Sequence, residues 1–250
     1  MKKLYAYPLA GGRMSKVLDF KKNQASFRVS NKTATKAEII LYGAIGASWF
    51  EDSITAKSFS EELKKLDANV KEITVRINSP GGDVFDGVTI YNRLKQHPAK
   101  VTVIVDGLAA SIASIIALAG DEIIMSEGAL YMIHLPWTMA AGNRNDLDNT
   151  IDRLLDVENQ LVSIYANKTK MSKNEIRSML EKETWLDSSQ TVEMGFADKT
   201  SEEAMPIAAS VFDKATWINK RPTTYKSEAQ VVKKEIENLK QKISGFLARR

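Results

Sequence analysis

The sequence predicts an α/β fold layered around a largely parallel sheet. Three observations predict it. Short β-rich runs alternate with stretches of helical periodicity through the middle of the chain, an order that argues for parallel strands joined by crossover helices. The alternation is punctuated by helix signals, among them His97-Pro98 after a helical stretch and Ser172 three residues ahead of Glu175. The 250 residues are 44% hydrophobic, enough for a sizeable core.

Residues 1–35 are polar and mixed, with a weak strand signal at SFRV, and read as an N-terminal extension. EIILYG (38–43) reads as a strand. From Thr55 to Leu66, Phe59, Leu63 and Leu66 recur at helical spacing. EITVRI (72–77) is a second strand, and FDGVTIYNRLKQ (85–96) a helix that His97-Pro98 stops. VTVIVDG (101–107) is a strand, 110–119 a helix, EIIM (122–125) a short strand and ALYMIH (129–134) another. Residues 145–166 form a long amphipathic helix with Leu147, Ile151, Leu154, Leu161 and Ile164 on one face. The helix opened by Ser172 ends near Glu183, and TWLDSSQTVEMGFADKT reads as a loop, a short helix and a final edge. Domain boundaries fall at 36–205 for the folded body and 206–250 for a linker and a basic amphipathic helix. In that helix Val232, Ile236, Leu239, Ile243 and Phe246 are spaced 4-3-4-3.

Composition excludes several classes of function. There are no cysteines, so disulfides and thiolate metal sites are out, and two histidines make a histidine metal cluster improbable. Of the net charge of +4, residues 226–250 supply all of it, with seven Lys/Arg against three Glu. The rest is balanced and offers no basic surface for nucleic acid. The apolar run near 107–119 is too short and too broken by serine to span a bilayer. MKKLYAYPLAGGR lacks the apolar centre of a secretory signal.

Three stretches stand at the ends of predicted strands, where α/β proteins build their sites. Pro80-Gly81-Gly82 leaves backbone amides unshielded between a strand and a helix. In IVDGLAASIASIIALAG (104–120), Gly107, Ala109 and Ala110 crowd small side chains around Ser111, where something can approach the backbone closely. MIH (132–134) brings His134 to a strand end, while His97 beside Pro98 fits a structural role. Acyl transfer needs a hydroxyl, a base within about 3 Å and amide donors for the oxyanion. Ser111, His134 and the amides of Gly82 and Ile112 offer these parts. A third group should orient the imidazole.

INSPGG, GLAASIAS, MIH and ETWLDSSQTVEMGFAD, in that order, resemble the Clp-type serine peptidases of the ClpP/crotonase fold, over roughly residues 36–200. YGAIGASWF, AASIASIIALAGDEIIM, and HLPW followed by AAGN look closest to the phage branch that acts as a head-maturation (prohead) protease. The resemblance implies a spiral of β-α units with a long handle helix at 145–166 and a C-terminal helical tail. It implies Ser111 as nucleophile, His134 as general base, Gly82 and Ile112 as backbone oxyanion donors, and no cofactor or metal. It also implies a ring-forming homo-oligomer acting on capsid or scaffold proteins in the host cytoplasm, with neither nucleic acid nor membrane as partner.

Two features depart from the family. Its third member is usually aspartate; here the WL and GFAD landmarks place Glu183 there, with Asp187 and then Asp198 as the other carboxylates in reach. The apolar N-terminal loop gripped by ATPase partners is not recognisable in MKKLYAYPLAGGR, which fits a peptidase that works without an unfoldase. Two other classes compete. A crotonase-like acyl-CoA enzyme would share the oxyanion hole but typically lacks the Ser/His pair. A scaffold or assembly protein would keep the fold with a weakened triad.

Overall fold

Period-two burial builds the sheet. The computed structural model describes residues 26–46, 53–66 and 68–201. Strands β1 (Ser26–Asn31), β2 (Lys36–Tyr42), β3 (Glu72–Ser79), β4 (Lys100–Ala110), β5 (Glu122–Met125), β6 (Leu130–Ile133), β7 (Thr184–Asp187) and β8 (Lys199–Thr200) form one eight-stranded sheet. Ile39 and Leu41, Ile73, Val75 and Ile77, Val101, Val103 and Val105, and Ile123 and Met125 are all buried. They occupy alternate positions, so each strand turns the same face to the core. Helices α1 (Ala56–Leu63), α2 (Val84–Lys95) and α3 (Ile112–Ala117) contribute Phe59, Ile90, Leu94, Ile115 and Ile116 to that core.

The path β2-β3-β4-β5-β8 is parallel throughout, as the β-α alternation predicts. The structure extends the expectation at both ends. β1 pairs antiparallel with β2, Phe27 opposite Leu41, so the sheet begins at Ser26 rather than at 36. TWLD, read as a loop, is strand β7, antiparallel to β6. The small residues 107–110, read as a turn, belong to β4. Its first half pairs with β5 through Thr102–Val105, and its second half pairs with β6 through Leu108–Ala110. A register shift between Ile77 and Ser79 accompanies this change of neighbour.

Helices α4 (Arg144–Thr169), α5 (Lys173–Glu181) and α6 (Ser188–Glu193) follow β6. Ser172 caps α5 in the predicted box with Glu175. Only the C-terminal half of α4 is packed, through Leu161, Val162 and Tyr165. Leu147, Ile151 and Leu155 are 41%, 55% and 49% exposed, an apolar stripe left on the surface. The heptad-like segment at 226–250 lies outside the described residues. Among the described residues no helix is long and apolar enough to cross a membrane.

On the sheet's less buried face, one polar cluster ties three strands. Arg76 grips Asp106 with two hydrogen bonds, Nε to Oδ2 at 2.9 Å and Nη2 to Oδ1 at 2.5 Å, and Tyr42 donates to Oδ2 at 2.6 Å. Burial, with Asp106 alongside, pushes the Tyr42 phenol up to about 12. The Arg76 and Asp106 side chains are only 14% and 12% exposed, so the pair is costly to break from one side. Arg76→Met is expected to destabilise the fold by about 3 kcal/mol, read as a lower urea midpoint at an unchanged slope. A midpoint equal to that of the parent would contradict this.

Candidate active site

Sheet register brings the predicted site residues together. β4 runs beside β6 with Ala110 opposite Met132, and the Ser111 N–H donates to the Met132 carbonyl at 2.9 Å. Ser111 therefore sits beside the end of the strand that carries His134. β6 and β7 pair antiparallel with Ile133 opposite Thr184, so the next step outward places His134 across from Glu183. One carbonyl reinforces this: Leu180 O accepts from the N–H of both Leu135 and Glu183, each at 3.2 Å.

The Ser111 hydroxyl lies 2.8 Å from His134 Nε2, within hydrogen-bond reach of a base. Ser111 has φ 54° and ψ −129°, a conformation that side chains with a Cβ rarely adopt. Such a residue costs of order 1–3 kcal/mol and persists only where its surroundings hold it. Glu183 is a second non-glycine residue with positive φ, at 49°, just past the end of α5. Of the predicted Ser111, His134 and Glu183, the first and last thus carry backbone strain.

His134 is held below its ordinary pKa of 6.5 by burial, which disfavours the charged ring, while the Glu183 carboxylate pulls the other way. Glu183 acts on the imidazole through space; its Oε1 accepts instead from Trp185 Nε1 at 3.1 Å. The other two carboxylates have different work. Asp187 caps α6, accepting from Gln190 N–H at 2.9 Å. Asp198 accepts from the Ile123 N–H and pairs with Lys168, both at 2.7 Å, on the β5 side of the sheet. His97 has the structural part expected of it, its Nδ1 accepting from Ala99 N–H at 3.1 Å.

The glycine turn presses against the Ser111 turn. A Cβ on Gly81 (φ 90°) would lie 2.7 Å from both Ser111 Cβ and the Ala110 carbonyl oxygen. A Cβ on Gly82 (φ 148°) would lie 2.0 Å from the Ile45 carbonyl oxygen. Only glycine fits either place. Ile45 clasps the turn through its N–H to Gly81 O and its O from Asp83 N–H, each at 2.9 Å, and these bonds use neither polar group of Gly82. Ile112 is the first residue of α3, so its N–H has no partner within the helix.

Two features escaped the sequence reading. The Trp185 contact to Glu183 depends on β7, a stretch whose sequence reads as a loop. A buried pair of hydroxyls behind Ser111 joins Ser114 and Tyr165; the S-x-x-S spacing of Ser111 and Ser114 is its one local signal.

Residues 21–204 match the family model described as Clp protease. An ATP-dependent Clp protease proteolytic subunit from Streptococcus pneumoniae (strain 70585) is 31% identical over 184 residues, covering 71% of this chain and 91% of that protein. An ATP-dependent Clp protease proteolytic subunit 1 from Chlamydia muridarum is 30% identical over 159 residues, covering 60% and 83%. Among solved structures, a ClpP1 mutant from Listeria monocytogenes superposes with a TM-score of 0.58 at 25% identity, covering 67% of this chain and 92% of that one.

Proposed function

The chain belongs to the Clp protease family, and from that premise we propose a serine endopeptidase that cleaves capsid or scaffold proteins during phage head maturation. The family forms rings and cleaves protein substrates. The observation that carries the reading is the 2.8 Å approach of Ser111 Oγ to His134 Nε2.

In the proposed reaction, Nε2 takes the hydroxyl proton as Ser111 Oγ attacks the carbonyl carbon of a substrate peptide bond. The resulting oxyanion faces the N–H groups of Gly82 and Ile112. The imidazolium, stabilised by the Glu183 charge, then gives its proton to the leaving amine and the C–N bond breaks. Water, deprotonated by the same imidazole, hydrolyses the acyl-serine ester and restores the hydroxyl. Neither metal nor nucleotide enters these steps, and turnover proceeds without an ATPase partner. The exposed Leu147, Ile151 and Leu155 of α4 are the surface that ring assembly covers. The enzyme works in the host cytoplasm, on the assembling capsid.

The pH profile follows from the base. The imidazole must be neutral to accept a proton, and burial lowers its pKa. Activity therefore rises with pH through a midpoint below 6.5 and falls as His134 protonates beneath it. Glu183→Gln removes the charge that opposes burial, so the midpoint moves further down while kcat falls about 10²- to 10⁴-fold. A midpoint that moves up in Glu183→Gln would contradict this assignment.

The functional test is mass spectrometry of a co-expressed phage major capsid protein. The wild-type chain should generate new capsid termini that Ser111→Ala does not. Identical trimming by both proteins would overturn the reading. Intact capsid beside an enzyme that cleaves model peptides would remove the head-maturation role and leave the endopeptidase.

A further inference from the structure

The Ser111 carbonyl accepts twice from one residue: from the Ser114 N–H at 3.0 Å and from the Ser114 hydroxyl at 2.5 Å. That hydroxyl also lies 2.6 Å from Tyr165 Oη. Ser114 has one hydroxyl proton, and a carbonyl can only accept, so that proton is committed to Ser111. The phenol is then the donor in the second bond. The chain runs one way, from Tyr165 O–H to Ser114 O–H to Ser111 C=O, and each link polarises the next. It is shut off from water, with Tyr165 2% and Ser114 0% exposed. Burial also pushes the Tyr165 phenol up, so it remains a donor.

The Ser111 C=O and the Ile112 N–H are the two ends of one planar trans peptide. Pinning the oxygen fixes where the N–H points. The peptide on the other side of Ser111 is pinned as well, by the bond from Ser111 N–H to Met132 O. The strained backbone of Ser111 is thus clamped from both sides, and one of the two clamps is reinforced by side chains.

We propose that Ser114 and Tyr165 are positioning residues, which aim the Ile112 N–H at the oxyanion and hold Ser111 Oγ in line with His134. This rests on the serine endopeptidase reading above. Neither residue touches substrate. Tyr165 lies on the packed half of α4, so the long helix supports the nucleophile as well as presenting an apolar stripe.

The structure supplies a matched control. Tyr131 is also fully buried, packs on the same Phe196 ring and donates at 2.6 Å, but to the Ser114 carbonyl, which belongs to the next peptide but two after Ile112 N–H. A merely structural role for these hydroxyls makes Tyr131→Phe and Tyr165→Phe equivalent. A positioning role does not.

The experiment uses the full chain and a fluorogenic peptide, with kcat and KM resolved and Tm recorded for Tyr165→Phe, Ser114→Ala, their combination, Tyr131→Phe and Ser111→Ala. Loss of an oxyanion donor outright costs ~10²–10³-fold in kcat, so a misaimed one should cost on the order of tenfold. Tyr165→Phe and Ser114→Ala should each show that fall, with KM changed less than about twofold. The combined variant should be no slower than Ser114→Ala, because the phenol acts through the hydroxyl. Tyr131→Phe should lower Tm and keep kcat. Unchanged kcat in both Tyr165→Phe and Ser114→Ala, or an equal fall in Tyr131→Phe, overturns the proposal while leaving Ser111 as nucleophile. If Tyr165→Phe does not fold, Ser114→Ala, which removes a single oxygen, decides alone. Turnover retained in Ser111→Ala overturns the endopeptidase reading and this inference with it.

Discussion

Ser111→Ala is expected to lower kcat for peptide hydrolysis by ~10⁴-fold or more, with Tm close to that of the parent. The size follows from what the hydroxyl does. In the proposed reaction no acyl-enzyme forms without it, and His134 has no serine proton to take, so the parts of the site act as a unit. The small stability change follows from the setting. The hydroxyl's one described contact is the 2.8 Å bond to a half-buried imidazole, and the backbone bonds that hold the turn, to Met132 and from Ser114, survive the substitution. Peptide turnover and thermal melting on the same preparations check both halves. A kcat within tenfold of the parent, with the fold intact, would remove Ser111 from the chemistry.

Gly82→Ala is expected to damage both fold and rate. Its Cβ would meet the Ile45 carbonyl oxygen at 2.0 Å, the carbonyl carbon at 2.9 Å and the nitrogen at 3.0 Å. These are backbone atoms, so no side-chain rotation relieves the clash. φ at 148° adds strain for any residue with a Cβ. Either Ile45 or the glycine turn must move, and the two bonds that Ile45 makes to Gly81 and Asp83 go with it. A loss of about 3 kcal/mol or more in urea unfolding is expected. In whatever folds, displacement of the Gly82 N–H should cost ~10²–10³-fold in kcat. Parent-like values of both would mean that the turn is looser than the structure shows.

The strand-helix alternation was legible because its signal is local: each parallel strand buries every second residue and each helix every third or fourth. Ser111, His134 and the glycine pair were legible for a related reason, since parallel strands deliver their ends to one edge. What the sequence hid depends on register. Four residues, TWLD, carry too little pattern to announce a strand, yet the pairing of β7 with β6 is what sets Glu183 opposite His134. Ala109 and Ala110 read as a turn because small residues are poor strand formers. They remain in β4 because Ala109 pairs with both Ser79 and Tyr131. Tyr165 and Ser114 are far apart in sequence, and only the packing of α4 on α3 brings their hydroxyls to 2.6 Å. Glu183 could be singled out in the sequence, but its contact with Trp185 could not, because that contact depends on β7. The carboxylate bonds to Trp185 and reaches the imidazole by charge.

The most direct measurement is covalent labelling with a fluorophosphonate, followed by peptide mass mapping, on the wild-type chain and on His134→Ala. A serine activated by the imidazole 2.8 Å away should carry the adduct at position 111 and react ~10²–10⁴-fold more slowly once the imidazole is gone. An adduct on another residue, or a labelling rate indifferent to His134, would contradict a Ser111–His134 nucleophile.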